Sequence, residues 1–536
     1  IQEPAARLHI RFRTLAAGLL LFGALAFLRL YRLEQYPPNL HLDMAQWTVH
    51  VFRLLDGQPS TILSHGFAEV PLLGHLWSAL WTAIAGRSLA GARFASVVGS
   101  LLAIAGVFFL VRRLYSPWVA LVAVVLLGVN HGFLHFSRIQ AYMDPIPFHV
   151  LGILGLVAGL ESGRYGWFAL AGLAGGYSAL TYHAGRITPP IMMMLGALIL
   201  LRYPRVILKR WPGLVLCAVA LLGIVGPQAI LYGTGRLNAL GRREVYPFIV
   251  SGHVNPSLLW QTVSHGLPRV LGAFWFYGDT STQYGSAWPV FFPPAAALLG
   301  MAAVAAVLRP WDIRGLWVVL WGFVILFAGG VLTIDPPFWP RFVTAFVPAA
   351  IAAAVTIGWL TRGATVAAGR VGRVIAVVST CALLGLTSWQ QLDAYRKYCA
   401  GIPPNESKAR YATQWVQGIM GRDVQRWGRD AMMYIVAANP NWYSCRHPTI
   451  EYYAYDADVQ DARDVTQYLP FKDPRTIVCY FLPGRSDQMA AVRRMYPRAE
   501  KRAFSNNVGQ HIFTRVVIRA PHARTASRSG GLPAGP

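Results

Sequence analysis

Two aspartates and four arginines carry most of the chemistry this sequence offers. Asp43 stands in "NLHLDMAQWT", beyond the end of an apolar stretch long enough to cross a bilayer. Asp144 stands in "FSRIQAYMDP", between two further apolar runs. A carboxylate at membrane depth is expensive, so it usually has a partner or a task. A carboxylate so placed can serve as a general base. Arg93, Arg138, Arg186 and Arg341 all border apolar runs. A guanidinium there can hold a phosphate through two parallel hydrogen bonds. Each residue also has a plainer use. Asp43 suits the N-cap of an interfacial helix over 44–55, and Asp144 directly precedes Pro145, a favourable helix start. Boundary arginines snorkel to headgroups. Arg186 in "TYHAGRITPP" and Arg341 in "PPFWPRFVTAFVPA" are the strongest of the four, because each sits at a Pro-rich break where a helix ends.

These residues have to be positioned by membrane helices. The chain has 536 residues, 55% of them hydrophobic and only 13% charged, where soluble domains carry about 25%. Its mean hydropathy is +0.41. Apolar runs cover 14–31, 94–111, 118–136, 145–160, 167–182, 189–201, 211–232, 288–308, 316–333, 342–360 and 374–389. That predicts about eleven transmembrane helices, the first retained and not cleaved as a signal peptide. The formal net charge of +25 is spread between the runs, which argues against a nucleic-acid partner and for membrane lipids as neighbours. "PLLGHLWSALWTAIA" decides the topology. If it lies flat on the membrane, anchored by Trp77 and Trp81, the arginine-rich short loops share one side with Arg7, Arg11 and Arg13. The positive-inside rule makes that side cytoplasmic. The loops 32–92 and 233–287, the turn at Asp144 and the region after 390 then lie outside.

The chain therefore divides into a transmembrane domain over 1–389, a small C-terminal extracytoplasmic α/β domain over 390–520, and a disordered Gly-, Ser- and Pro-rich tail over 521–536. Within the second, 407–427 reads as a helix, "AMMYIVAA" and "TIVCYFLP" as buried strands, 488–496 as a helix and "HIFTRVVI" as a last strand. Of the five cysteines, Cys217 and Cys381 lie in apolar runs. A Cys445–Cys479 bridge is open to an extracytoplasmic domain, but unpaired thiols are the favoured reading. Asn405-Glu406-Ser407 matches a glycosylation sequon, which carries little weight in this bacterial-looking, Arg- and Ala-rich chain.

Five segments, in order, carry a family resemblance: "LDMAQW", "EVPLLGHLWSALWTAIAGRSLAGARFASVVGSLLAI", "FLHFSRIQAYMDP", "GGYSALTYHAGRITPP" and "PRFVTAFVPA". With them the chain resembles the polytopic GT-C glycosyltransferases, the superfamily of dolichyl-phosphate-mannose protein mannosyltransferases, and among these the bacterial aminoarabinose transferases of lipid A. The resemblance implies a mostly α, GT-C-like bundle in a bacterial inner membrane. It implies an inverting transfer from a polyprenyl-phosphate-linked sugar to a lipid, glycan or protein acceptor outside the cytoplasm. The family's two acidic motifs fall on Asp43 and Asp144. Asp43 would be the base, with Asp144 orienting the acceptor or its neighbours. Arg186 and Arg341, with Arg138 and Arg93, would face the donor phosphate. No cofactor is implied with certainty; a divalent metal would involve Glu69, for which an exposed loop acid is the favoured reading. Two departures stand out. Met44 replaces a second acid beside Asp43, and Val70 replaces a basic residue after Glu69.

Those departures favour an alternative, a catalytically degenerate scaffold serving as a structural or lipid-binding subunit. A transporter is disfavoured, since no acid falls in mid-span and no inverted halves are visible.

Overall fold

In the computed structural model of the chain, the described residues are 12–38, 40, 42–58, 72–234, 245–250, 252–279, 288–400, 408–437, 443–505 and 509–520. They fall into two compact units, Ile1–Pro38 with His50–Glu406, and Asn39–Val49 with Ser407–Pro536.

Among the described residues the α-helices are α1 (Phe12–Leu30), α2 (Leu42–Leu55), α3 (Leu72–Ala85), α4 (Leu89–Leu114), α5 (Pro117–Gly128), α6 (His131–Phe136), α7 (Pro145–Ser162), α8 (Tyr165–Thr181), α9 (Thr188–Arg202), α10 (Pro204–Gly233), α11 (Pro256–Gly272), α12 (Pro293–Leu308), α13 (Ile313–Ile325), α14 (Phe346–Cys399), α15 (Lys408–Trp427), α16 (Pro448–Tyr453) and α17 (Ser486–Met495). Their starts follow local chemistry. Ser88 and Ser116 cap α4 and α5 by accepting the N–H groups of Gly91 and Val119. Asn255 and Asp312 do the same for α11 and α13. Among the described residues, six helical stretches are long and apolar enough to cross a membrane: Leu89–Leu114, Pro145–Ser162, His183–Arg202, Pro204–Leu231, Ile313–Val331 and Val343–Cys399. Gly18–Leu30, Pro117–Gly128 and Pro293–Leu308 are shorter apolar helices. The first unit is thus a polytopic helical membrane bundle.

Three details depart from the hydropathy pattern. The run 118–136 is broken, because Asn130 ends α5 and caps α6, accepting Phe133 N at 2.9 Å and donating to Val290 O at 2.6 Å. The runs 342–360 and 374–389 fall in one 54-residue helix, α14. That helix reverses at Ala368 (φ −135°) and Gly369 (φ +56°). The arms close tightly enough for a Cβ at Gly372 to collide with Ala364 O. Both ends of α14 meet α6: His131 packs on Trp339, which packs on Phe346, and the His131 N–H donates to Gln391 Oε1 at 2.8 Å. So α14 is a helical hairpin. Finally, α3 does form, but Trp77 and Trp81 do not face outward. They pair with each other and stack edge-on against Phe148 and Phe94, while Leu76, Leu80 and Ile84, one turn apart, make the exposed apolar face.

The second unit contains a five-stranded sheet: β1 (Ala431–Val436), β2 (Asp458–Ala462), β3 (Thr476–Phe481), β4 (Glu500–Ser505) and β5 (His511–Ile518), in the order β2-β1-β3-β5-β4. β1 runs parallel to β2 and β3; β5 runs antiparallel to β3 and β4. One face packs on α15 and α16 through Met420, Val424 and Ile450, the other on α17 through Val492. The pattern reading had β1, β3, β5, α15 and α17 and lacked β2 and β4. All five cysteines are free thiols. Cys445 lies against Asp461, and Cys479 is buried within β3. The tail 521–536, the sequon and Glu69 lie outside the described residues.

Candidate active site

Two turns carry the arginines marked as strongest. α8 stops at Thr181 and the chain makes a 3-10 turn, His183–Ile187, before Pro189 and Pro190 open α9. Only glycine fits at 185, because a Cβ there would collide with Ser178 O. Arg186, on this turn, is half-buried. The second turn follows α13. A π-turn (Leu326–Val331) leads into a Pro-rich loop and the 3-10 turn Trp339–Arg341. Arg341 Nη1 donates to Ile334 O at 2.5 Å, and its guanidinium lies 4.3 Å from the centre of the Phe338 ring. The two turns pack against each other, so the segments that carry Arg186 and Arg341, far apart in sequence, are neighbours in the fold.

Arg341 has acidic and phenolic company that motif reading missed. Burial pulls its pKa down, against the opposing influence of Tyr182, Asp335, Tyr246 and Asp279. Asp279 Oδ2 accepts the Trp339 N–H at 3.1 Å, fixing the turn. Asp335 holds a left-handed backbone (φ +56°), as does Ala141 (φ +75°) in the loop before Asp144. Strained backbone of this kind clusters at functional loops.

Asp144 is fully buried at the start of α7 and caps nothing with its side chain. Ser78 Oγ of α3 donates to its Oδ2 at 3.2 Å, while Oδ1 lacks a hydrogen-bond partner. Burial pushes its pKa from the ordinary 3.8 up to about 8, opposed by Ser78 and Ser96. In this position the group is a mostly protonated acid bracing α3, with no solvent-facing surface.

Arg93 and Arg138 sit differently from the phosphate-binding expectation. Arg93, fully buried, donates to Leu33 O at 2.7 Å and Pro37 O at 2.8 Å. Arg138 donates to Leu28 O at 2.6 Å, Tyr31 O at 2.6 Å and Tyr36 O at 3.1 Å. Arg29 adds bonds to Ser100 Oγ, Leu25 O and Gly128 O. Arg93 and Arg138 thus satisfy open carbonyls where α1 ends and the chain turns, while Arg29 ties α1 to α4 and to the end of α5. Their positions at apolar boundaries gave no sign of this, because a carbonyl partner leaves no mark in sequence.

Asp43 lies in the first turn of α2, half-buried, within the second unit. In that unit Leu40 O accepts from Thr449 Oγ1 at 3.3 Å, tying the start of α2 to α16. Among the described residues no group of three His, Cys, Asp or Glu stands ready to hold a metal.

Residues 69–229 match the family model described as dolichyl-phosphate-mannose-protein mannosyltransferase. No curated protein matches the chain. Among solved structures, ArnT from Cupriavidus metallidurans bound to undecaprenyl phosphate is similar at 14% identity and a TM-score of 0.54, covering 94% of this chain and 98% of that one. The apo state of the same protein aligns at 14% identity and 0.49, covering 94% and 98%. The Archaeoglobus fulgidus oligosaccharyltransferase with zinc and sulfate aligns at 12% identity and 0.49, covering 92% and 72%. At these identities the likeness is one of fold, and this chain, a polytopic helical bundle with a small C-terminal sheet unit, has an ArnT-like fold.

Proposed function

We propose that the protein is an inverting membrane glycosyltransferase that moves a sugar from a polyprenyl-phosphate donor to an acceptor hydroxyl or amine on the extracytoplasmic face of a bacterial inner membrane. The observation that carries this reading is the packing of the Arg186 turn against the Arg341 turn. The ArnT-like fold supports it, since that relative is bound to undecaprenyl phosphate.

In this mechanism Arg186 and Arg341 hold the donor phosphate and neutralise the negative charge that grows on it as the glycosidic bond breaks. Asp43 takes the proton from the acceptor as the acceptor attacks the anomeric carbon. Attack opposite the departing phosphate inverts the anomeric configuration. Asp279 holds the Arg341 turn in place, and Asp144 braces α3. Arg93 and Arg138 act one step further away, shaping the segment that leads to α2. The aromatic loop 233–287 supplies faces on which a sugar ring can stack.

The test is transfer of radiolabelled hexose or pentose from undecaprenyl phosphate by the purified protein in lipid nanodiscs. Arg341→Ala and Arg186→Ala are expected to lower the rate by about 10²- to 10³-fold. Asp43→Asn is expected to abolish transfer while the protein keeps its melting temperature. Absence of transfer by the unmodified protein from every polyprenyl-phosphate sugar tried leaves the scaffold reading in its place.

A further inference from the structure

Beneath the Arg186 turn lies a buried hydrogen-bond relay that the transfer chemistry does not use. Trp321 Nε1 of α13 lies 2.9 Å from His149 Nε2 of α7. His149 Nδ1 lies 2.7 Å from Thr188 Oγ1, at the start of α9. Thr188 Oγ1 lies 2.9 Å from Ser178 Oγ of α8, and Ser178 Oγ lies 3.0 Å from Pro145 O. All four side chains are fully buried.

The direction of every proton follows from the two ends. An indole N–H can only donate, so His149 Nε2 accepts. The imidazole is then neutral with its proton on Nδ1, which donates to Thr188 Oγ1. That frees the Thr188 hydroxyl proton to donate to Ser178, and Ser178 donates to a carbonyl that can only accept. No member can turn round without leaving a buried donor facing another donor.

Thr188 is also the residue that closes the Arg186 turn, its backbone N–H donating to Gly185 O. Gly185 in turn packs against Ser178 O and Pro145 Cβ. The relay thus fixes the turn from below through its last residue and through both groups that Gly185 touches. We propose that Thr188, Ser178 and His149 are positioning residues that hold the Arg186 turn in its phosphate-facing conformation through the indole of Trp321. This rests on the donor-binding role given to Arg186 above, and its test separates the two.

Two measurements are made on the full-length protein and on Thr188→Val, Thr188→Ser and Ser178→Ala. The first is hydrogen–deuterium exchange of the backbone over 183–187, which needs no ligand. The second is affinity for undecaprenyl phosphate in nanodiscs. Thr188→Val and Ser178→Ala are expected to speed exchange of that segment by about tenfold and to weaken binding by about fivefold, the scale of one lost buried hydrogen bond. Thr188→Ser keeps the hydroxyl and should behave as the parent in both. Should Thr188→Val not fold, Ser178→Ala against Thr188→Ser makes the same comparison. Unchanged exchange over 183–187 in both Thr188→Val and Ser178→Ala would overturn the positioning role. Faster exchange in the variants, with no undecaprenyl phosphate bound even by the parent, sustains that role and removes the donor-binding one.

Discussion

Asp279 Oδ2 accepts the backbone N–H of Trp339 at 3.1 Å, so a residue of the large loop before α12 pins the turn that presents Arg341. Asp279→Ala removes that acceptor. The expected loss is about 1 kcal/mol of stability, the usual worth of one such bond, read as a modest fall in melting temperature. Transfer should fall by about tenfold, because Arg341 loses its fixed approach. Asp279→Asn keeps a carbonyl oxygen and should restore most of both. An Ala variant with full transfer activity would remove Asp279 from the positioning of Arg341.

The buried Asp144 gives the protein a stability that depends on pH in a defined direction. Its pKa is near 8 when folded and near 3.8 when exposed. Between those values the folded form keeps a proton that the unfolded form has released. Stability is therefore greatest below about pH 4 from this group alone, declines as pH rises towards 8, and levels off above it. Melting temperatures across pH 5 to 9 should show this decline in the parent, and Asp144→Asn should flatten it. An identical slope in both proteins would show that Asp144 is ionised in the fold.

Arg138 separates a structural cation from a substrate-binding one. Its guanidinium serves the carbonyls of Leu28, Tyr31 and Tyr36. Arg138→Met would strand these acceptors, at a cost of about 3 kcal/mol. The expected signature is a marked drop in thermal stability, with unchanged affinity for undecaprenyl phosphate in the fraction that folds. A stable Arg138→Met that no longer binds the lipid would reverse the assignment.

In the second unit, Arg515 Nη1 meets Asp423 at 2.6 Å and Tyr480 donates to the same carboxylate at 3.0 Å. Removing one partner leaves the other buried and alone, so Asp423→Ala should cost about 3 kcal/mol. Replacing both, Asp423→Leu with Arg515→Met, should recover much of it. The double-mutant cycle in denaturant reads the coupling directly.

How much of this was legible in the residues differs from place to place. The apolar runs announced the bundle because a lipid-facing helix must be apolar along its whole length, and α1, α4, α7, α10 and α12 lie where those runs lie. Arg186 and Arg341 stood out because prolines mark the breaks that carry them. The break at Asn130 was visible only as a single polar residue in an apolar run, too weak to outweigh its neighbours. Arg93 and Arg138 looked like Arg186 on paper, since a boundary position does not reveal that a guanidinium is spent on backbone carbonyls. Asp279 and Asp335 lie in loops whose pairing with Arg341 depends on tertiary packing. The strands β2 and β4 escaped because they flank the sheet: "DVQDA" and "EKRAFS" are polar and largely exposed, without the unbroken apolar signature of β1 and β3.

The hairpin of α14 limits where the gene can be shortened. Gln391, near its end, takes the His131 N–H and gives its own amide to Val290 O at 3.1 Å. A truncation that stops at the last apolar residue of the final run would discard that glutamine and open a seam between α6 and the loop before α12. The smallest expressible membrane core therefore has to run past Gln391, beyond the point that hydropathy alone would choose.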